Sequence, residues 1–313
     1  KFLGNKMKDL ISTKDLLKDD FKALIAQAKH FKELNSSGAR HEDKLAGKSV
    51  IQAFFENSTR TRMSFELSAK RLGCDSTSLS PAISSAAKGE SLLDTIKNLE
   101  AMQNDFFVIR HQKSGAAKFV AGRSKAHVIN AGDGCNEHPT QALLDLFTMS
   151  EHFGAGDAIA GFESISGKKI SIIGDIFHSR VARSNIYALQ TLGAEITLFG
   201  PPQCMRYAEV FGSKRAKNIK EALNDADAVI MLRIQLERSE DEVPLPNEYA
   251  KYFGLNSRNI EFLPPHALVL HPGPVNRGVE MSSEVMDSRS LVLEQTQNGV
   301  AMRMAVFSML AQS

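Results

Sequence analysis

At 313 residues the chain is longer than one hydrophobic core usually serves, so two domains sharing a cleft are the first expectation. Its composition, 42% hydrophobic and 24% charged with 21 glycines and 10 prolines, is that of a soluble globular protein and excludes the disordered and fibrous classes. A net charge of +2 spread over dispersed basic residues excludes a nucleic-acid partner gripped through many phosphates, and leaves only local anion recognition.

The three cysteines, Cys74, Cys135 and Cys204, are odd in number and far apart, which suggests neither a disulfide framework nor a CxxC metal site and fits a reducing cytoplasm. No stretch approaches the roughly 20 apolar residues of a membrane span, so no membrane partner is expected. Lys1 to Met7 lacks the apolar core and cleavage site of a secretory leader. Residue 1 is not Met, which puts the true start upstream or at Met7.

Along the chain, short apolar β-branched runs alternate with longer segments of 3.6-residue period, the pattern of parallel sheets covered by helices. In the first half, strands are expected at Val50 to Phe55, Phe106 to Arg110 and Ala126 to Asn130. Helices are expected near Leu16 to Leu34, Thr61 to Leu72, Leu92 to Gln103 and Thr140 to His152. Gly154 to Gly167, rich in Gly, Ala and Ser, reads as a loop between halves. The second half repeats the pattern with strands at Lys169 to Asp175, Glu195 to Gly200, Ala228 to Leu232 and Ala267 to His271, a helix from about Val181, and a closing helix at Val300 to Leu310. The fold class is therefore α/β with two domains, each a parallel sheet flanked by helices, and the active site in the interdomain cleft. The first domain is expected to take residues 1–139 with a C-terminal helix at 296–313, and the second residues 140–295.

Ligands of open α/β sheets bind past the carboxyl ends of the strands, and five such segments carry unusual chemistry. In Phe55-Glu56-Asn57-Ser58-Thr59-Arg60-Thr61-Arg62, helix N-terminal N–H groups, three hydroxyls and an arginine converge as a phosphate cradle without P-loop glycines. An ordinary Ser or Thr helix cap would need only one of those hydroxyls. Arg110 ends an apolar strand, where its guanidinium can fork between phosphate and carbonyl oxygens; a buried structural Arg would instead need a carboxylate such as Glu137. His138-Pro139-Thr140-Gln141 opens a helix, so that His138 can polarise a carbonyl while Gln141 accepts from an NH2 group; the competing account is a capping His with a solvent-facing Gln.

Gly174 to Arg180 and Met231 to Arg238 follow second-half strands. The first is no GxGxxG fingerprint, so a dinucleotide is poorly supported, and two strand-end arginines, Arg180 and Arg233, suit a dicarboxylate. Surface pairing with Glu237 or Glu240 competes for Arg238. His271-Pro272-Gly273-Pro274 is a rigid turn whose carbonyls can accept from a ligand NH2, or a plain Pro-Gly turn.

Together these segments resemble the aspartate/ornithine carbamoyltransferase family, whose signature Phe-x-Glu/Lys-x-Ser-Gly/Thr-Arg-Thr stands here at Phe54 to Thr61. His138 to Gln141 and His271 to Pro274 match its other two marks in order and spacing, so the likeness spans essentially the whole chain. Ornithine-specific members carry Lys where this chain has Glu56, Cys where it has Thr140, and a His-Cys-Leu-Pro turn around Gly273. All three choices point to aspartate.

The resemblance implies a transferase that moves the carbamoyl group of carbamoyl phosphate to the amino group of L-aspartate in de novo pyrimidine synthesis, with no metal or redox cofactor. It implies that Ser58, Thr59, Arg60, Thr61 and Arg110 hold phosphate. Thr61, Arg110 and His138 would donate to the carbonyl oxygen, and Gln141 with the Pro272 and Gly273 carbonyls would hold the NH2 group. Arg180, Arg233 and Gln235 would clamp the aspartate carboxylates. Ser84 and Lys88 match residues that the family supplies from a neighbouring subunit, which implies a homotrimer with shared sites, either bare or assembled with a regulatory chain or dihydroorotase. Glu56 would latch across the cleft to Arg180 and Arg238. The rival readings are a carbamoyltransferase for another amine such as ornithine, and a non-catalytic phosphate- or nucleotide-binding module. A sensor would have no use for Arg180, Arg233 and Gln235.

Overall fold

The computed structural model describes residues 7–79, 90–206, 208–234 and 245–313. The chain divides into two compact units, Lys1–Leu144 with Gln297–Ser313, and Asp145–Thr296.

Unit 1 runs through α1 (Lys18–Ser36), β1 (Ser49–Phe54), α2 (Thr59–Arg71), β2 (Asp75–Leu79), α3 (Leu92–Glu100), β3 (Phe106–His111), α4 (Ala116–Ala121) and β4 (His127–Asp133) to the start of α5 (Pro139–Phe153). Its four strands are parallel in the order β2-β1-β3-β4. Strands covered on both faces need near-continuous apolar runs, which is why Val50 to Phe54 and Phe106 to Ile109 carry so few polar residues. On one face Ile51, Phe107, Ile109 and Val128 pack with Ile96 of α3 and Val120 of α4. Elsewhere in the unit, Phe307 meets Phe65 of α2 and Phe106 of β3 edge-on, with ring centroids 5.9 and 5.4 Å away.

Unit 2 takes α6 (Ala158–Glu163), β5 (Lys169–Ile173), α7 (Arg180–Thr191), β6 (Glu195–Phe199), β7 (Lys214–Arg215), α8 (Ile219–Leu223), β8 (Ala228–Met231), α9 (Pro246–Tyr252), β9 (Leu268–Leu270) and α10 (Ser283–Arg289), with the first turn of α11 (Val292–Leu310). Its parallel sheet has the order β7-β6-β5-β8-β9, so the winding reverses between β5 and β8. That reversal is where open α/β sheets leave a crevice for ligands. On one face of the sheet Ile173, Val229, Met231 and Val269 pack with Ala222 and Leu223 of α8.

Both predicted sheets are present, with two corrections. The expected loop at Gly154 to Gly167 contains the short helix α6, capped by the Asp157 carboxylate, which accepts from Ile159 N–H at 3.1 Å. Gly161 makes this possible: a Cβ there would collide with the Ser150 carbonyl of the preceding helix. The closing helix α11 starts at Val292, earlier than Val300; its polar first turns and Gly299 hide that start from the apolar pattern. Among the described residues no helix is long and apolar enough to cross a membrane.

Candidate active site

In unit 1 the loop after β1 delivers Ser58 to the N-cap position of α2, in extended conformation (φ −162°, ψ 93°) and without a side-chain capping hydrogen bond. The simple helix-cap reading of Ser58 is therefore not realised. The first turn of α2 has no acidic residue, although that end of a helix favours negative charge, and it carries Arg60 and Arg62 instead. Thr59 and Arg60 are exposed, and Ser58 and Thr61 half-buried. A helix N-terminus whose first turn carries cations and hydroxyls and no carboxylate favours negative charge near it.

Arg110 sits beside this loop because β3 runs alongside β1, with Arg110 in register with Phe54 and its carbonyl accepting from Phe55 N–H at 2.8 Å. Its Nε lies 2.7 Å from Glu56 Oε1, and its Nη1 donates to the Ala131 carbonyl at 3.0 Å. The carboxylate proposed for a structural Arg, Glu137, is occupied elsewhere: it accepts from Thr13 N–H and Oγ1, each at 2.9 Å, and from the Ser12 hydroxyl. Glu56, assigned to the latch, is thus engaged within unit 1. Neighbouring His111 has its pKa lowered by burial and by Lys113.

His138 is set by a polar network that sequence reasoning missed. Fully buried Asp133 accepts from Asn130 Nδ2 at 2.8 Å, Gly115 N–H at 2.6 Å and Glu137 N–H at 3.1 Å, while its own N–H donates to the Glu137 carbonyl at 3.1 Å. This closes the turn that starts α5, where the His138 carbonyl accepts from Gln141 N–H at 3.0 Å. His138 and Gln141 are 4% and 7% exposed, so the reading with a solvent-facing Gln fails. Their i, i+3 spacing puts both on one face of the helix.

In unit 2, β5 is followed by Gly174, whose φ of +137° and closeness to Leu232, which a Cβ would meet at 2.8 Å, require glycine. Asp175 then accepts from His178 N–H at 3.1 Å, and Ser179 caps α7 by accepting from Ala182 N–H at 3.1 Å. Arg180 is therefore the first residue of α7, buried at the end of a helix that favours anions. Arg233 follows the adjacent strand β8 and is half-buried.

The turn after β9 is equally fixed. His271 N–H donates to Gln295 Oε1 at 3.0 Å, and His271 Nδ1 accepts from Gly273 N–H at 2.8 Å, which leaves the ring proton on Nε2. Gly273 has φ +64°, and its peptide bond to Pro274 is cis. Among the described residues neither the Pro272 nor the Gly273 carbonyl accepts a hydrogen bond. Glu280, also missed, ties this turn to the segment after β8. Its carboxylate accepts from Ile234 N–H at 2.8 Å, Asn276 N–H at 2.7 Å and Asn276 Nδ2 at 2.7 Å. Burial raises its pKa against the pull of those donors. An acid six residues past the His-Pro-Gly-Pro turn was the only sequence signal for it.

Ser84, Lys88, Gln235 and Arg238 lie outside the described residues. Of the remaining sequence-predicted residues, Glu56, Ser58 to Thr61, Arg110, His138 and Gln141 belong to unit 1, and Arg180, Arg233, Pro272 and Gly273 to unit 2.

Residues 8–151 match the model of the aspartate/ornithine carbamoyltransferase carbamoyl-P binding domain, and residues 166–310 that of the Asp/Orn binding domain. The chain is 55% identical over 310 residues to the aspartate carbamoyltransferase catalytic subunit of Campylobacter fetus subsp. fetus, covering 98% of this chain and 97% of that one. Among solved structures it resembles Trypanosoma cruzi aspartate transcarbamoylase in complex with carbamoyl phosphate and aspartate (TM-score 0.82, 28% identity, 97% of each chain). It also resembles the catalytic subunit of M. jannaschii aspartate transcarbamoylase (TM-score 0.81, 33% identity, 98% of each chain). With both domain models matched in order and more than half the residues identical to a full-length relative, the chain belongs to the aspartate/ornithine carbamoyltransferase family.

Proposed function

We propose that the chain is a transferase that moves the carbamoyl group of carbamoyl phosphate onto the amino group of L-aspartate, giving N-carbamoyl-L-aspartate and phosphate, the committed step of de novo pyrimidine synthesis. The observation that carries this reading is the acid-free, cationic N-terminus of α2 with Arg110 alongside it, in a chain whose relatives are named for this reaction.

Carbamoyl phosphate binds first, its phosphate on Ser58, Thr59, Arg60, Thr61 and Arg110. Gln141 and the Pro272 and Gly273 carbonyls accept from its NH2 group, and Thr61, Arg110 and His138 donate to its carbonyl oxygen. Arg180, Arg233 and Gln235 hold the aspartate carboxylates. The neutral amine attacks the carbonyl carbon, and the oxyanion that forms meets donors already in place. Collapse breaks the bond to phosphate, and the leaving phosphate takes up the proton released by the amine. Positioning and fixed donors supply most of the acceleration.

Residues 1–139 with 296–313 form the carbamoyl phosphate domain and 140–295 the aspartate domain. The working form is a cytoplasmic homotrimer in which Ser84 and Lys88 serve a neighbouring copy's site, with further assembly onto a regulatory chain or dihydroorotase open to it.

The test is carbamoylated product formed from carbamoyl phosphate with L-aspartate, and separately with L-ornithine, by wild type and Arg60→Ala. Product with aspartate alone, reduced about 10²–10³-fold by Arg60→Ala, is the expected outcome. Product with ornithine, or with neither amine, overturns the reading of Arg180 and Arg233.

A further inference from the structure

Unit 2 has a concavity at the carboxyl ends of β6 and β7, with a volume of about 460 Å³. That is the size of a small-molecule site. Three cations, Arg215, Lys217 and Lys251, line it together with three rings, Phe199, Tyr252 and Phe253. The Phe199 and Phe253 centroids are 5.3 Å apart with planes inclined by 35°, and the Lys251 ammonium lies 5.0 Å from the Tyr252 centroid. Tyr252 is 54% exposed, which leaves much of its ring for a stacking partner. Arg215 reaches a carboxylate, Glu209, only at 3.9 Å. Glu221 is already engaged by Lys217 N–H at 2.9 Å and Lys214 at 3.4 Å. A lining with three cations suits an anionic ligand. The rings favour a flat apolar body attached to it.

We infer that this pocket binds a small molecule made of a planar aromatic ring bearing a phosphate, and that its occupancy is transmitted to the turn presenting Arg180. The transmission path is backbone. The Phe199 carbonyl accepts from Gly174 N–H at 2.8 Å, and the Cys204 carbonyl accepts from Phe177 N–H at 2.9 Å. Gly200 packs so closely on the Gly174 carbonyl that a Cβ has no room. These contacts join the pocket floor directly to the Gly174 to Arg180 turn. This transmission rests on the proposed function, and the binding itself does not.

The experiment is titration calorimetry of the full chain in its native assembly with adenosine monophosphate, phenyl phosphate, adenosine and inorganic phosphate. Wild type, Arg60→Ala, the double variant Lys217→Ala/Lys251→Ala, and Tyr252→Ala are compared. The expected result is that a ring phosphate binds wild type and Arg60→Ala alike, and binds the double variant and Tyr252→Ala about tenfold more weakly. Adenosine and inorganic phosphate should each bind more weakly than the joined molecule. Tighter binding of adenosine monophosphate than of phenyl phosphate would support a nucleotide ligand, and the reverse a simple aryl phosphate. The inference is overturned if neither ring phosphate binds, if binding is lost in Arg60→Ala but kept in the double variant, or if either fragment binds as tightly as the whole. Transmission is read as a shift in aspartate saturation on adding the ring phosphate, present in wild type and absent in the double variant; no shift in wild type overturns that half.

Discussion

The Nε of Arg110 lies 2.7 Å from Oε1 of Glu56, with both side chains largely withdrawn from water. A guanidinium held this way is fixed in direction before any substrate arrives, and such preorganisation is what makes a donor effective toward a developing oxyanion. On this geometry Glu56 is expected to act as a positioning residue for Arg110. Glu56→Ala should lower kcat about 10²-fold and weaken saturation by carbamoyl phosphate, with Glu56→Gln keeping more of both. Steady-state kinetics in each substrate decide it. A change confined to aspartate saturation would return Glu56 to the role of latch toward Arg180 and Arg238.

Glu280 joins Ile234, next to Arg233, to Asn276 of the turn bearing Pro272 and Gly273. Glu280→Ala should raise the aspartate KM about tenfold, with a smaller effect on carbamoyl phosphate saturation. Glu280→Gln should recover part of the loss, since its amide still offers one acceptor.

The same residue gives a pH signature. Burial raises the Glu280 pKa above 4.5, so its favourable contribution to stability is complete below about 4.5 and is lost as pH rises through the folded-state value. Glu280→Gln should flatten that part of the denaturation midpoint against pH. An unchanged slope would remove Glu280 as its source.

Asp105 and Glu100 act in the opposite direction. Burial alone would raise Asp105, but Lys48 at 2.8 Å and Ser49 N–H at 2.9 Å outweigh it and lower the pKa below 3.8. Burial of Glu100 is likewise outweighed, by Ser124 and by the Lys125 and Ala126 N–H groups, and its pKa falls below 4.5. Their contributions are present above about pH 4.5 and lost on acidification through the lowered values. Asp105→Asn should make the acid limb of the stability curve shallower, as followed by circular dichroism.

Phe307 is fully buried and meets two rings edge-on. Phe307→Ala should cost about 3–5 kcal/mol in urea denaturation. A cost below about 1 kcal/mol would mean that the site collapses around the truncated side chain.

The sheets were legible because their strands are buried on both faces and so read as apolar runs, from Val50 to Phe54 and from Ile170 to Ile173. β2 was not, since Asp-Ser-Thr-Ser-Leu is a polar strand at the sheet edge, recognised only through its pairing with β1. Ser58 to Thr61, His138 and the arginines stand out in the sequence as polar residues soon after strands. Asp133 and Glu280 did not, because their role lies in hydrogen bonds to backbone N–H groups that only the folded chain brings near. The Glu56–Arg110 pair was hidden for the same reason: 54 positions separate the two, and the parallel register of β1 and β3 joins them.

The acid-free first turn of α2 also bears on how the protein will behave in a test tube. With Arg60 and Arg62 at the positive end of the helix and no acidic residue in its first turn, that surface favours oxyanions in general. Sulfate or phosphate in a buffer would then act as a silent competitor, and accumulating product phosphate would slow the reaction it came from. Apparent carbamoyl phosphate constants should accordingly follow the identity of the buffer anion as well as total ionic strength.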